Sequence, residues 1–115
     1  MKNVVNIVTE MLKFSNLSFI EKPILIWGMA MEYYEMRKAG ADIDFIIADE
    51  DYQALAQKYP DERKDLYGDL GLVIGKFEIW RSIAHLDYNF FKKDAIEEEN
   101  ILIVSNEWRS FWWQI

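Results

Sequence analysis

The sequence predicts one α/β or α+β domain, in which helices cover a mixed β-sheet. Segments with apolar residues at helical spacing alternate with short continuous apolar runs, which is typical of helices alternating with buried strands. Of the 115 residues, 51% are apolar and 16% are aromatic, which is ample for a packed core. The chain shows no internal repeat and no linker-like tract. We therefore assign residues 1–115 to a single domain.

The first half of the chain contains five predicted elements. Its patterns predict a helix over 3–16, a strand over 24–27, a helix over 29–39, a strand over 42–48 and a helix over 49–59. Gly40 stands where a helix C-terminal cap is expected. Asp49 is a candidate N-terminal cap, and Pro60 ends the third helix.

The second half is less regular. Residues 60–71 are polar and predict a loop, and two short strands, 72–74 and 77–80, are expected to form a hairpin around the Gly75-Lys76 turn. Residues 82–98 are mixed in character and predict a helix over their middle. Residues 101–104 predict a last strand. From Ser105 onward, aromatic residues at helical spacing predict a terminal helix with one aromatic face.

Charge and composition exclude several classes of function. The net charge of −7 argues against non-specific binding to nucleic acid or acidic membranes, because both need a basic face. The absence of cysteine excludes disulfides and thiolate metal sites, and one histidine cannot form a histidine-rich zinc site. No leader-like start and no apolar run of about 20 residues is present. We expect a soluble cytoplasmic protein.

Asp42 and Asp44 are the main candidates for a chemical role. Side chains alternate along a strand, so these two carboxylates lie on one face while Ile43 and Phe45 enter the core. Two adjacent carboxylates repel unless a cation lies between them, and Mg²⁺ prefers such oxygen ligands. The alternative is that they are solvated or paired with the basic residues 37–38. Aspartate is depleted from strands, which favours the functional interpretation.

Glu78 is the candidate third carboxylate, because it projects from one face of a later strand. The alternatives are a solvated position on an edge strand, or Asp87 as the third ligand. Gly28 lies where a strand meets a helix, a position that favours close approach of a phosphate, although a tight turn without a ligand also explains it. Lys76 is a candidate phosphate contact, with a solvated lysine as the alternative.

These residues resemble the signature of the nucleotidyltransferase superfamily, whose members include DNA polymerase beta. The resemblance rests on Gly28, the helix after it, and the acid-apolar-acid-apolar run of residues 42–45. It implies a nucleotidyltransferase-like fold in a small stand-alone member. It also implies binding of a nucleoside triphosphate and Mg²⁺, and transfer of a nucleoside monophosphate to a hydroxyl acceptor. Carried over to this chain, Asp42, Asp44 and Glu78 are catalytic metal ligands.

In the same resemblance, Gly28 and the residue after it hold the triphosphate. That residue is Met29, where the signature has Gly or Ser, and a methionine offers no hydroxyl. The sequence therefore leaves open a second function, a catalytically inactive interaction module with the same fold, which could be half of a two-protein system. Its contact with a protein partner or a second copy would use the C-terminal aromatic segment, Trp108, Phe111, Trp112 and Trp113.

Overall fold

The structure is a computed structural model, which describes residues 4–36, 38, 40–66 and 69–108. Four α-helices are present in this part of the chain: α1 Val4–Ser15, α2 Trp27–Tyr33, α3 Asp49–Lys58 and α4 Tyr88–Lys92. Its strands are β1 Ile24–Ile26, β2 Ile43–Ile46, β3 Arg63–Leu66, β4 Asp69–Ile74, β5 Phe77–Trp80, β6 Ser82–Ile83, β7 Leu86–Asp87, β8 Ile96–Glu97 and β9 Leu102–Ile103. Short 3₁₀ turns occupy Pro60–Glu62 and Asn106–Trp108.

Seven of the strands form one mixed sheet in the order β3-β4-β5-β2-β1-β9-β8, and β6 and β7 form a separate hairpin. Within the large sheet, β2 is parallel to β5 and antiparallel to β1, while β1 is parallel to β9. The chain is therefore an α+β domain with a mixed sheet and several helices, as predicted. None of the helices in the described part of the chain is long and apolar enough to span a bilayer.

One face of the central sheet is entirely apolar. Leu25, Phe45, Ile79 and Leu72 form a row across four neighbouring strands, and each of these side chains is fully buried. On the same face, Phe45 stacks on Phe77 with ring centroids 5.9 Å apart. A slip of one residue would move these side chains to the other face, so the apolar pattern determines the register.

Two polar contacts tie helices to distant parts of the chain. Helix α1 buries its apolar stripe, and Thr9 Oγ1 donates a hydrogen bond of 2.8 Å to Asn100 Oδ1. The carboxylate of Asp51, in the first turn of α3, is buried and accepts hydrogen bonds from the backbone N–H groups of Ile20 and Glu21, at 2.7 and 3.0 Å. Asp49 does not cap α3 as predicted, because Ala48 occupies the N-cap position.

Helix α2 ends at Tyr33, six residues before the predicted end at Ala39. Glu35 adopts φ of 61°, and the N–H groups of Met36 and Glu35 donate to the carbonyls of Met31 and Glu32. This is a Schellman ending with Glu35 at the left-handed position where glycine is preferred. The Tyr33 hydroxyl donates to Glu98 at 2.7 Å, so a long-range contact fixes the end of the helix. Gly40 is therefore not the cap.

Two further predictions about the second half need correction. Residues 60–71 are not a loop, since they contain β3 and the start of β4. Strand β3 is an edge strand whose Arg63, Lys64 and Asp65 are all exposed, and a strand without a buried face shows no apolar alternation. The segment 82–98 is helical over its middle, but only for the five residues of α4, with short strands on either side. The predicted terminal helix lies mainly outside the described residues.

The end of α2 can be tested with two glycine exchanges. Glu35→Gly should increase the free energy of unfolding by about 1 kcal/mol, because it removes the left-handed strain of a residue with a Cβ. Gly40→Ala should change it by less than about 0.5 kcal/mol, because a Cβ there meets no atom within 4 Å. Urea unfolding of the two variants measures both values. A helix continuing to Ala39 would give the opposite result, destabilisation by both changes.

Candidate functional site

Asp44 and Glu78 lie side by side on the face of the sheet opposite the apolar row. The pairing of β1, β2, β5 and β4 aligns Ile26, Asp44, Glu78 and Val73 in a single row. Residues aligned in this way project to the same side of a sheet. Asp42 lies two residues before Asp44, immediately outside β2, and is exposed. The structure thus brings together the three carboxylates that the sequence singled out.

The next row on the same face is part of the core. It contains Ile24, Ile46 and Trp80, which are all buried, whereas Asp44 and Glu78 are half-buried. The boundary between core and solvent therefore passes through the carboxylate row, in which Ile26 is fully buried and Asp44 and Glu78 are not. The carboxylates lie on this boundary, where they lose part of their hydration without being sealed from solvent.

This position changes the acidity of two of the carboxyl groups. Burial is the largest cause that raises the pKa of Asp44 from 3.8 to about 8, and the negative charges of Glu78 and Asp42 and a hydrogen bond to Glu78 also contribute. Burial also raises the pKa of Glu78, as do the charge of Asp42 and a hydrogen bond with it, while the hydrogen bond from Asp44 acts in the opposite direction. The three groups thus form one coupled acidic cluster, with Glu78 hydrogen-bonded to the other two.

The donor set suits a hard divalent cation. Carboxylate oxygens are the preferred protein ligands of Mg²⁺, which commonly takes only one or two of them and completes its shell with water and substrate phosphates. A cation beside Asp44 would favour the charged form of the carboxylate that burial and like charges now disfavour. Among the described residues, no group of three or more Asp, Glu or His side chains is arranged so that it could hold a metal ion.

Gly28 and Met29 lie in the first turn of α2, directly after β1. Since Ile26 is aligned with Asp44, this turn adjoins the end of β2 where the carboxylates lie. Met29 is half-buried and packs against the core. The Met29 side chain therefore contacts the protein core. At this position the turn has backbone groups but no side-chain hydroxyl that a ligand could contact.

Lys76, the predicted phosphate contact, and the other basic residues close to the carboxylates in sequence are exposed where the structure describes them. Lys76 lies in the turn before β5 with its side chain exposed, and its backbone carbonyl accepts a hydrogen bond of 2.8 Å from Ile43 N. Of the basic residues 37–38, the alternative partners of the aspartates, Lys38 is exposed and residue 37 lies outside the described residues. Arg81 Nη1 lies 3.8 Å from Asp49 Oδ1, at the opposite end of β5 from the carboxylate row.

The other candidate third ligand, Asp87, has a different role. It ends β7 and caps α4, with its Oδ1 accepting a hydrogen bond of 3.0 Å from Phe90 N. It lies on the small hairpin rather than on a neighbour of β2. His85 is exposed in the turn of the same hairpin, where both Ala84 and His85 have positive φ, 51° and 68°. The structure therefore places Glu78 beside Asp44 and Asp87 on a different sheet.

Of the aromatic segment near the C-terminus, the structure describes Trp108. It is half-buried, and its ring centroid lies 5.1 Å from that of Phe90 and 5.7 Å from that of Phe91. Trp108 is therefore engaged within the chain itself. Phe111, Trp112 and Trp113, the remaining residues of the proposed contact, lie outside the described residues.

Sequence reasoning missed one feature of this site, a pair of indoles. The ring centroids of Trp27 and Trp80 lie 4.8 Å apart at an interplanar angle of 51°. Strand alternation places Trp80 on the face of Glu78, but nothing in the sequence indicates that Trp27 reaches it. Trp27 has φ of 51°, and this turn of the backbone depends on the tertiary structure.

Comparison of the chain with protein-family models, with curated proteins and with solved structures finds no match. The arrangement of the chain's own residues is therefore the basis on which a function is proposed.

Asp44→Asn should stabilise the metal-free protein in a pH-dependent manner. The folded protein keeps a proton on Asp44 up to about pH 8, whereas the unfolded chain releases it near pH 3.8. The folded state thus binds more protons between these values, and its stability decreases as the pH rises through them. We expect Asp44→Asn to add about 1–3 kcal/mol at pH 8 and less at pH 5.

Urea unfolding in the presence of a chelator at the two pH values measures this difference. Asp94→Asn is the matched control, because Asp94 is exposed and should give the same small effect at both. An equal effect of Asp44→Asn at pH 5 and pH 8 would contradict the assignment of a strained carboxyl at this position.

Proposed function

We propose that the chain is a nucleotidyltransferase-fold protein, which binds a nucleoside triphosphate with Mg²⁺ and transfers the nucleoside monophosphate to a hydroxyl acceptor. The observation that carries the proposal is the cluster of Asp42, Asp44 and Glu78 on one face of the sheet. Two of these residues are aligned on neighbouring parallel strands, so their proximity depends on backbone pairing rather than on flexible loops.

The connectivity around the cluster supports the same proposal. Strand β1 leads through the Gly28 turn into α2, and the chain returns as β2 antiparallel to β1. The third carboxylate comes from β5, which is the neighbour of β2 on its other side. This order of strand, glycine turn, helix, paired acids and a later acidic strand is the order that the sequence resemblance implies.

Repulsion between the carboxylates of the cluster favours the binding of a cation. Asp44 and Glu78 on the core boundary, with the exposed Asp42 hydrogen-bonded to Glu78, cannot all ionise at low cost, which agrees with the raised pKa values of Asp44 and Glu78. A bound Mg²⁺ would be held by the oxygens of Asp42, Asp44 and Glu78. When bound, it neutralises the negative charge of the triphosphate and of the transition state.

The reaction assigned to this site is a displacement at the α-phosphorus. The oxygen of the acceptor hydroxyl forms a bond to phosphorus while the bond to the pyrophosphate oxygen breaks, and the hydroxyl proton leaves. We assign that proton to solvent water, because a carboxylate that holds Mg²⁺ has a lowered pKa and is a weak base. The backbone of the turn at Gly28 faces the phosphates.

Isothermal titration tests the binding step. We expect the folded wild-type protein to bind at least one of ATP, GTP, CTP and UTP in the presence of Mg²⁺. Binding should be lost with EDTA, because the carboxylates then repel the phosphates. Asp44→Asn and Glu78→Gln should each weaken Mg²⁺-dependent binding at least about tenfold by removing a charged ligand.

Asp94→Asn serves as the control for a general loss of acidic charge and should bind as the wild type does. Absence of heat for all four nucleotides, in protein shown to be folded by circular dichroism, would overturn the proposal. The inactive interaction module would then be the function that remains. Binding that persists unchanged in Asp44→Asn and Glu78→Gln would instead place the nucleotide elsewhere on the molecule.

A further inference from the structure

Helix α1 carries apolar side chains that its packing against the core leaves uncovered. Besides its buried stripe, Ile7, Met11 and Phe14 follow one another at i, i+4 and i+7, and none of the three is buried. Residues at this spacing form a stripe along one side of a helix. Phe14 is 86% exposed, more than any other large apolar side chain in the described part of the chain. A single exposed apolar residue is common on protein surfaces, so the surroundings of Phe14 decide what its exposure means.

An open groove of about 280 Å³ lies at the C-terminal end of α1. It adjoins Phe14, because Lys13, the residue before Phe14, and Leu17, three residues after it, both line the groove. Ile20, which also lines it, is 72% exposed. The apolar residues of the lining are Leu12, Leu17, Phe19, Ile20 and Pro23. An exposed ring and an apolar groove are thus neighbours on one surface, and such a continuous apolar surface is typical of an interaction site.

The charged residues of this surface are complementary to one another. The charged lining of the groove consists of Lys13, Lys22 and Glu99, and Lys22 forms an ion pair within the chain. Glu10 precedes Phe14 by one helical turn, so the two lie on the same side of α1, about 6 Å apart along its axis. Glu10 and Lys13 are exposed, and no ion pair between described residues includes either of them. An acid therefore accompanies the exposed ring, and a base borders the groove.

We propose that this surface joins two copies of the chain into a symmetric dimer, in which each copy inserts Phe14 into the groove of the other. A twofold interface uses the same surface on both copies, so that surface must contain both the inserted group and its receptor. The two α1 helices then run antiparallel across the axis. As Phe14 enters the groove, Glu10 of the same copy reaches Lys13 of the other.

The twofold axis forms this Glu10–Lys13 ion pair twice, and this charge complementarity favours a second copy as the occupant of the groove. In a parallel arrangement of the two helices, Glu10 would instead lie beside Glu10 of the other copy, and like charges would repel. The inference goes beyond the proposed function, because the dimer requires neither a nucleotide nor Mg²⁺.

Sedimentation equilibrium tests the dimer directly. We expect wild-type protein to show a monomer–dimer equilibrium with a dissociation constant of about 1–100 µM, because the surface is small. Phe14→Ser should weaken the dimer at least about tenfold by removing its apolar anchor. Since Phe14 is exposed in the monomer, the variant should keep its fold, which circular dichroism checks. Leu70→Ser is the matched control, because Leu70 is 51% exposed but lies on β4, and it should leave the dimer unchanged.

Exchanging the two charges shows whether the ion pair forms between copies. Glu10→Lys alone opposes two lysines, and Lys13→Glu alone opposes two glutamates, so each variant should dimerise about fivefold more weakly than the wild type. A mixture of the two variants should form heterodimers with nearly wild-type affinity, because every pair across the axis then joins a glutamate to a lysine. Sedimentation velocity with one variant fluorescently labelled measures this. An effect of the two charges within a single helix would not be restored by mixing.

Wild-type protein that remains monomeric up to about 300 µM would overturn the inference. A dimer that Phe14→Ser leaves intact would also overturn it, because the contact would then lie elsewhere on the chain. The same holds for a mixture of Glu10→Lys and Lys13→Glu that associates no better than the separate variants. Nucleotide binding is measured separately, so none of these results decides whether the proposed function is correct.

Discussion

The parallel pairing of β2 with β5 is the interaction on which the candidate site depends. It aligns Asp44 with Glu78 and, one residue further along, Phe45 with Ile79. The second pair is fully buried, and the free energy of burying such side chains is what keeps the two strands in this register. Two acidic residues are thus forced into contact by the packing of their apolar neighbours. Burial and mutual repulsion of the two carboxyl groups oppose this arrangement, in agreement with their raised pKa values.

The energetic cost of bringing Asp44 and Glu78 together is reflected in the raised pKa values of their carboxyl groups. Asp44 would ionise near pH 3.8 in an unfolded chain, and in the fold its pKa rises to about 8. A group that destabilises the folded state near neutral pH is more easily understood as part of a binding site than as a structural element. The chain contains a contrasting case in Asp51, a buried carboxylate that accepts two backbone hydrogen bonds and connects α3 to residues 20–21. Asp51 therefore has a structural role, whereas the partners that Asp44 and Glu78 have in the described part of the chain are each other and Asp42.

The strand-to-helix turn next to the cluster combines two unusual choices of residue. Trp27 takes a left-handed conformation in which glycine would be unstrained, and Met29 occupies the position where the nucleotidyltransferase signature has Gly or Ser. The structure gives each a packing role, Trp27 against Trp80 and Met29 against the core. The turn therefore contributes apolar surface at the edge of an acidic cluster.

The sequence by itself determined the fold class and the identity of the acidic cluster. Strand alternation and the apolar flanks of Asp42, Asp44 and Glu78 are local properties, and they predicted which faces these residues share. The elements that it predicted poorly depend on distant partners. The end of α2 is fixed by Tyr33 and its hydrogen bond to Glu98, and β3 is a strand only because β4 pairs with it, since its own residues 63–65 are exposed.

Only the tertiary structure decided which strand lies beside β2, because pairing between strands far apart in sequence is not encoded by the pattern of either strand alone. That pairing selected Glu78 over Asp87 as the neighbour of Asp44, and it brought Trp80 within reach of Trp27. The sequence could name the acidic residues on their separate strands. The fold, through the burial of the apolar rows around them, made them into one site.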